Sequence, residues 1–289
     1  MKSLARIEQA LDHALERATG ETCPPQLADA VRYALFPGGA RVRPRLCLAV
    51  GLACGDDAPE LTDAACAAVE IMHCASLVHD DMPCFDDAET RRGRPSVHKT
   101  FGEPLALLTG DAMIVLAFDI LGRAACSHPS RLGPLVSALS GAVGMPNGIT
   151  AGQAWESEDS PPLDLYHRAK TGALFIGACR LGAISAGGDA DAWVTLGDRL
   201  GAAYQVADDL RDAAADEDEI GKPVGQDGIH DRPNAVAELG IPKALGKLDS
   251  LVRGAISAIP ECRGAEMLEA LIRSEAKRLV PNKLAKSAA

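Results

Sequence analysis

Apolar residues recur at three- and four-residue spacing from one end of the 289-residue chain to the other, and no stretch alternates long enough to be written as a strand. That pattern restricts the chain to helix packed on helix. The spacing predicts helices over residues 3–18, 25–35, 42–54, 60–81, 104–126, 131–143, 162–186, 190–213, 234–258 and 264–279. Gly and Pro mark the breaks, as at Pro37-Gly38-Gly39, Gly55-Asp56-Asp57, Met82-Pro83, Pro146-Asn147-Gly148, Pro161-Pro162 and Gly187-Gly188. Without a Ser- or Pro-rich linker or a repeat of fixed period, the expectation is an all-α fold in one domain spanning residues 1–289. Aromatics make up only 3% of residues, and the many small apolar side chains suit close helix packing.

Two acidic clusters interrupt this apolar pattern. In LVHDDMPCFDDAETRRGR, residues 77–94, Asp80, Asp81, Asp86 and Asp87 are followed at once by Arg91, Arg92 and Arg94. Carboxylates about 4 Å apart repel by roughly 4 kcal/mol at an effective dielectric near 20, so such a group awaits a cation. Oxygen ligands select a hard ion, Mg²⁺ before Zn²⁺, and arginine forks grip phosphate oxygens. A solvated acidic loop with a basic tail is the plainer alternative. The second cluster, YQVADDLRD, sets Asp208 and Asp212 one helical turn apart with Asp209 beside them. Two clusters on an otherwise apolar helical chain favour a metal-bridged phosphate site over solvation.

Other polar groups sit where an apolar helix does not call for them. In FPGGARVRPR, a glycine turn feeds Arg41, Arg43 and Arg45 into a helix start, where cations are unfavourable unless an anion is present. His73 lies on the helix leading to Asp80, with Met72 and Ser76 two turns and one turn before that aspartate and Ala75 beside Ser76. Gln153 and Lys170-Thr171 fall inside apolar helices, and a buried Lys170 ammonium needs a partner. The acidic, Gly-rich stretch around Lys222 has the length of a lid.

A net charge of −11 argues against a nucleic-acid surface or a polybasic membrane anchor. Nine cysteines without a CxxC pair read as mostly buried thiols in a reducing cytoplasm. The N-terminal twenty residues form a charged amphipathic helix without a signal-peptide core. The longest apolar tract, Leu105 to Cys126, is broken by Asp111, Asp119 and Arg123, so no membrane span is expected.

Taken in order, FPGGARVRP, SLVHDDMPCFDDAETRRGRPSVHK, LTGDAM, AGQ, KTGAL, YQVADDLRD and GKPVGQD resemble the motifs of the trans-isoprenyl diphosphate synthases, most closely the geranylgeranyl diphosphate synthases of bacterial carotenoid and bacteriochlorophyll pathways. The resemblance runs over nearly the whole chain. It implies a helical bundle around a central apolar cavity and a head-to-tail condensation of allylic diphosphates (dimethylallyl, geranyl, farnesyl) with isopentenyl diphosphate. By the same resemblance, Asp80, Asp81, Asp86, Asp208, Asp209 and Asp212 hold Mg²⁺, three ions with Mn²⁺ as a substitute. Arg91, Lys170, Thr171, Gln205 and Lys222 assist the allylic diphosphate, while Arg43, His73 and Arg92 bind isopentenyl diphosphate. Asp80, Asp81, Asp86, Arg91, Lys170, Asp208 and Asp209 form the catalytic set. Met72, Ala75 and Ser76 govern product length, and Ala75, where C15 enzymes carry an aromatic, implies C20. A cytoplasmic homodimer is also implied. Ala40 stands where the family usually has Lys, with Arg41 or Arg45 as substitutes. A C15 synthase and a non-catalytic subunit of another synthase remain as alternatives.

Overall fold

The computed structural model describes residues 2–214, 236 and 239–279. Its helices, in chain order, are α1 (Lys2–Ala18), α2 (Pro25–Leu35), α3 (Val42–Ala53), α4 (Pro59–Asp80), α5 (Val97–Phe101), α6 (Glu103–Ala124), α7 (Pro129–Val143), α8 (Ile149–Ala154), α9 (Leu163–His167), α10 (Ala173–Ser185), α11 (Val194–Ala214), α12 (Ile241–Ser257) and α13 (Ala265–Leu279). The all-α expectation holds, with boundaries mostly within about two residues of those predicted. Pro stands at the first or second position of α2, α4, α6, α7 and α12, where its missing N–H costs nothing.

Four local features depart from the periodic reading. The short helices α5 and α8 are too brief to show a period. A two-stranded antiparallel hairpin pairs β1 (Thr90–Arg91) with β2 (Arg94–Pro95). Its two-residue turn, Arg92-Gly93, has positive φ at both positions, as a tight hairpin requires. Residues 163–185 run continuously but widen into a π-helical turn, Arg168–Gly172, between α9 and α10. The helix expected over 234–258 is broken at Gly240 (φ 75°), after which Pro242 restarts it as α12.

The core is built on α4, which packs along α6 and also against α1, α3 and α10. Buried side chains along it include Leu61, Ala65, Ala68, Val69, Ile71, Met72, Ala75 and Val78. Both α4 and the run Glu103–Ser127 are long and apolar enough to cross a bilayer by length and composition, so Asp111, Asp119 and Arg123 lower the hydropathy less than expected. In α4, 72% of that apolar window is buried inside the protein; in Glu103–Ser127 the share is 44%, and Leu107, Leu108 and Val115 are exposed. All nine cysteines are free, but burial is less general than expected: Cys47, Cys66, Cys74 and Cys179 are buried, and Cys84 and Cys126 are exposed.

One buried ion cluster joins α1, α3 and α4. The Arg41 guanidinium, 3% exposed, donates to Glu8 and to Glu70 at 2.8 Å each and to the Leu35 carbonyl at 2.7 Å. Arg41 also adopts φ 49°, a left-handed conformation costly for any residue that carries a Cβ, and the three acceptors hold it there. Breaking such a pair leaves the Glu70 charge buried alone. Arg41→Met is expected to lose about 3 kcal/mol of stability, seen as a lower urea midpoint with an unchanged slope. A loss below roughly 1 kcal/mol would mean that the cluster does not fix this turn.

Candidate active site

Two halves of the chain meet at the C-terminal end of α4. The first half begins where Asp80 ends the helix and the chain folds back in a tight loop. Asp86 N–H donates to the Asp80 carbonyl, Phe85 and Asp87 donate to that of Met82, and Ala88 donates to that of Asp81. The four residues between Asp81 and Asp86 thus return the later acid to the earlier pair. Asp87 points elsewhere, toward Lys99 and His98 at 3.2 and 3.4 Å.

The hairpin then brings its arginines to this loop. Arg91 binds the buried Asp81 carboxylate through Nε, at 2.9 and 3.2 Å, and through Nη2. Arg92 reaches the Gly38 carbonyl at 2.5 Å and lies across Gly39, where any Cβ would collide with it. Burial raises the carboxyls of Asp80 and Asp81 above the usual carboxylate range, and Lys170 and Arg91 respectively oppose that rise.

Of the three arginines at the start of α3, only Arg43 faces this region uncommitted to an acid. Arg41 is held by Glu8 and Glu70, and Arg45 by Glu275. Both residues read as substitutes for a lysine at position 40 are thus paired with acids. Arg43 lies over the Phe175 ring, 4.7 Å from its centroid, and its Nη1 is 3.3 Å from His73 Nε2. Since arginine only donates, His73 Nε2 accepts. Burial, then Arg43, Arg92 and Arg91, push the His73 imidazole well below its usual value, so it is neutral. The Arg43 Nε is buried without a hydrogen-bond partner, so the pocket presents an unsatisfied cationic donor.

The second half is carried by α8, the π-helical turn and α11. A Cβ at Gly152 would lie 2.3 Å from the Lys170 nitrogen, and one at Gly201 would lie 2.5 Å from the Gly172 Cα. These backbone contacts press α8 and α11 directly against the turn that bears Lys170 and Thr171, and π-helical turns of this kind recur at functional sites. Thr171 Oγ1 donates to Gln205 Oε1 at 2.9 Å, and Gln205 Nε2 donates to Asp209 Oδ1 at 3.0 Å. Asp209 is buried, whereas Asp208 is more exposed and binds Arg211 at 2.5 Å. Asp212 is half-buried on the same helix.

The Lys170 ammonium spans the two halves. It contacts Glu156 and stands 3.8 Å from Asp80 Oδ1, an oxygen that is buried and accepts no hydrogen bond. Ligand oxygens of Asp80, Asp86 and Glu156 all lie within 4.8 Å of one another, the three-acid group of this kind among the described residues. Asp81, Asp208, Asp209 and Asp212 stand outside that group. An orphaned carboxylate oxygen within an all-oxygen set fits a hard divalent cation. Sequence reasoning missed Glu156 and Tyr166, whose hydroxyl donates to it at 2.6 Å. The signal was present, since a lysine in an apolar helix demands an acid. Met72 and Ala75 are buried on α4; half-buried Ser76 returns its hydroxyl to the His73 carbonyl, which keeps that wall apolar. Lys222 and the lid expected around it lie outside the described residues.

Comparison with known proteins adds to this geometry. Residues 24–259 match the polyprenyl synthetase family model. The chain is 56% identical to a geranylgeranyl diphosphate synthase of Cereibacter sphaeroides, over 97% of each protein. It is 50% identical to that of Rhodobacter capsulatus, over 95% of each. A geranyltransferase from Helicobacter pylori, solved with magnesium and isoprenyl diphosphate, superposes with a TM-score of 0.79 at 26% identity, covering 96% of this chain and 98% of that one.

Proposed function

This chain belongs to the polyprenyl synthetase family, and we propose that within it the chain condenses dimethylallyl, geranyl and farnesyl diphosphates with isopentenyl diphosphate to give all-trans geranylgeranyl diphosphate, for carotenoid and related isoprenoid synthesis. The observation that carries this reading is the near-full-length likeness to two bacterial geranylgeranyl diphosphate synthases. The pocket of Arg43, His73 and Arg92 supports it as the seat of isopentenyl diphosphate. Arg91, Lys170, Thr171, Gln205 and Lys222 hold the allylic diphosphate.

Asp80, Asp81, Asp86, Asp208, Asp209 and Asp212 would hold Mg²⁺, three ions with Mn²⁺ as a substitute, which supplies positive charge to the leaving diphosphate. As the allylic C–O bond lengthens, Lys170 and Arg91 donate to the departing oxygens. Arg43 and Arg92 keep the second diphosphate in place so that its double bond attacks the allylic carbon. Neutral His73 accepts from Arg43 and orients it. The proton then lost goes to the released diphosphate. The apolar wall of α4, with Met72 and Ala75, keeps water from the cation until the new bond forms.

The reading extends to one domain acting as a cytoplasmic homodimer. The exposed Leu107, Leu108 and Val115 on α6 support a face covered by a second copy.

Purified protein incubated with Mg²⁺, isopentenyl diphosphate and each starter is expected to yield a C20 alcohol after dephosphorylation. A C15 product would retain the chemistry and remove the argument from Ala75; no product from any starter would remove the reading itself. Ala75→Tyr is expected to shorten the product, and an unchanged distribution would move the floor of the cavity elsewhere. With Arg41 and Arg45 both committed to acids, Ala40→Lys should lower the KM for isopentenyl diphosphate roughly three- to tenfold, as one added hydrogen bond of ordinary net strength would. An unchanged KM would mean that a residue at 40 does not reach that diphosphate.

A further inference from the structure

Glu156 has no part in the scheme above, yet three side chains converge on it. It sits on a 3₁₀ turn, Trp155–Ser157, at the end of α8. Tyr166 Oη donates to it at 2.6 Å, Gln153 Nε2 at 2.8 Å, and Lys170 Nζ binds the same Oε1 that Tyr166 does. Those donors fix the carboxylate from α8, α9 and the π-helical turn. The ammonium is drawn to Glu156 and stands off from Asp80, at 3.8 Å, while Asp80 Oδ1 is buried and accepts no hydrogen bond. An ammonium and a divalent cation compete for the same carboxylates, and Asp80 is within reach of this one.

We propose that Glu156 is a positioning residue whose carboxylate holds the Lys170 ammonium off Asp80, keeping the buried Asp80 Oδ1 available to a divalent cation. The identity of that cation rests on the reading under Proposed function. The amide of Glu156→Gln accepts hydrogen bonds but has no charge to match the ammonium. Lys170 then turns to Asp80 and blocks it.

Titration of the full-length protein with Mn²⁺ alone, followed by the paramagnetic resonance of the free ion, reads this directly without turnover. Glu156→Gln is expected to weaken Mn²⁺ binding about tenfold, a coupling typical of residues sharing one ion network. In a Lys170→Gln background, where nothing remains to be held off, the same change should alter affinity by less than about twofold. Equal losses in both backgrounds would make Glu156 a direct ligand and overturn the proposal, as would no loss in either. Should Glu156→Gln fail to fold, Tyr166→Phe removes one donor orienting Glu156 and should weaken Mn²⁺ binding by about threefold, and unchanged binding would overturn the proposal. Wild-type protein that binds no Mn²⁺ would overturn the metal reading as well, whereas binding untouched by Glu156→Gln overturns only this inference.

Discussion

The salt bridge buried between Arg41 and Glu70 settles where everything in the first half of the site can go. Removing two charges from water is expensive, and the arrangement persists because the guanidinium finds Glu8 and the Leu35 carbonyl as well. With Arg41 anchored to α4 and α1 at the start of α3, Arg43 two residues later is turned toward His73 and Phe175. Gly38 and Gly39, just before, are brought within reach of Arg92. The anion pocket is therefore a by-product of an ion pair that itself touches no ligand.

A comparable division of labour runs through the acids. Asp81 is buried and given to Arg91, which fixes the hairpin against the end of α4. Asp80 and Asp86 are left to face Glu156 and Lys170. Within one motif, then, Asp81 is tied to the hairpin while Asp80 and Asp86 stand together with Glu156. Lys170, drawn to Glu156 but close to Asp80, ties the aspartate loop at the end of α4 to the turn after α8.

The helices were legible because their signal is local: α1, α2 and α12 show an apolar stripe within a dozen residues, and α4, buried all round from Ala65 to Met72, shows a long apolar run. What was not legible is either too short for a period, as in α5, α8 and the hairpin, or set by a single backbone conformation, as at Gly240. The aspartate motifs and Lys170 stood out because charge in an apolar helix is improbable without a purpose. Which arginine of Arg41, Arg43 and Arg45 faces the pocket could not be read, since all three alternate positions look alike until Glu8, Glu70 and Glu275 arrive from remote parts of the chain. Glu156 escaped for the same reason, being one acid among several in AWESED until Tyr166 and Lys170 converge on it.

The glycine contacts that press α8 and α11 onto the π-helical turn have a kinetic consequence. With backbone against backbone at Gly152 and Gly201, there is no slack for these helices to slide past Lys170 and Thr171. Side-chain rotation, on the order of nanoseconds, is then the faster answer of α8, the π-helical turn and α11 to an arriving ligand, since collective helix shifts take microseconds to milliseconds. Such a wall can register an encounter within the lifetime of that encounter.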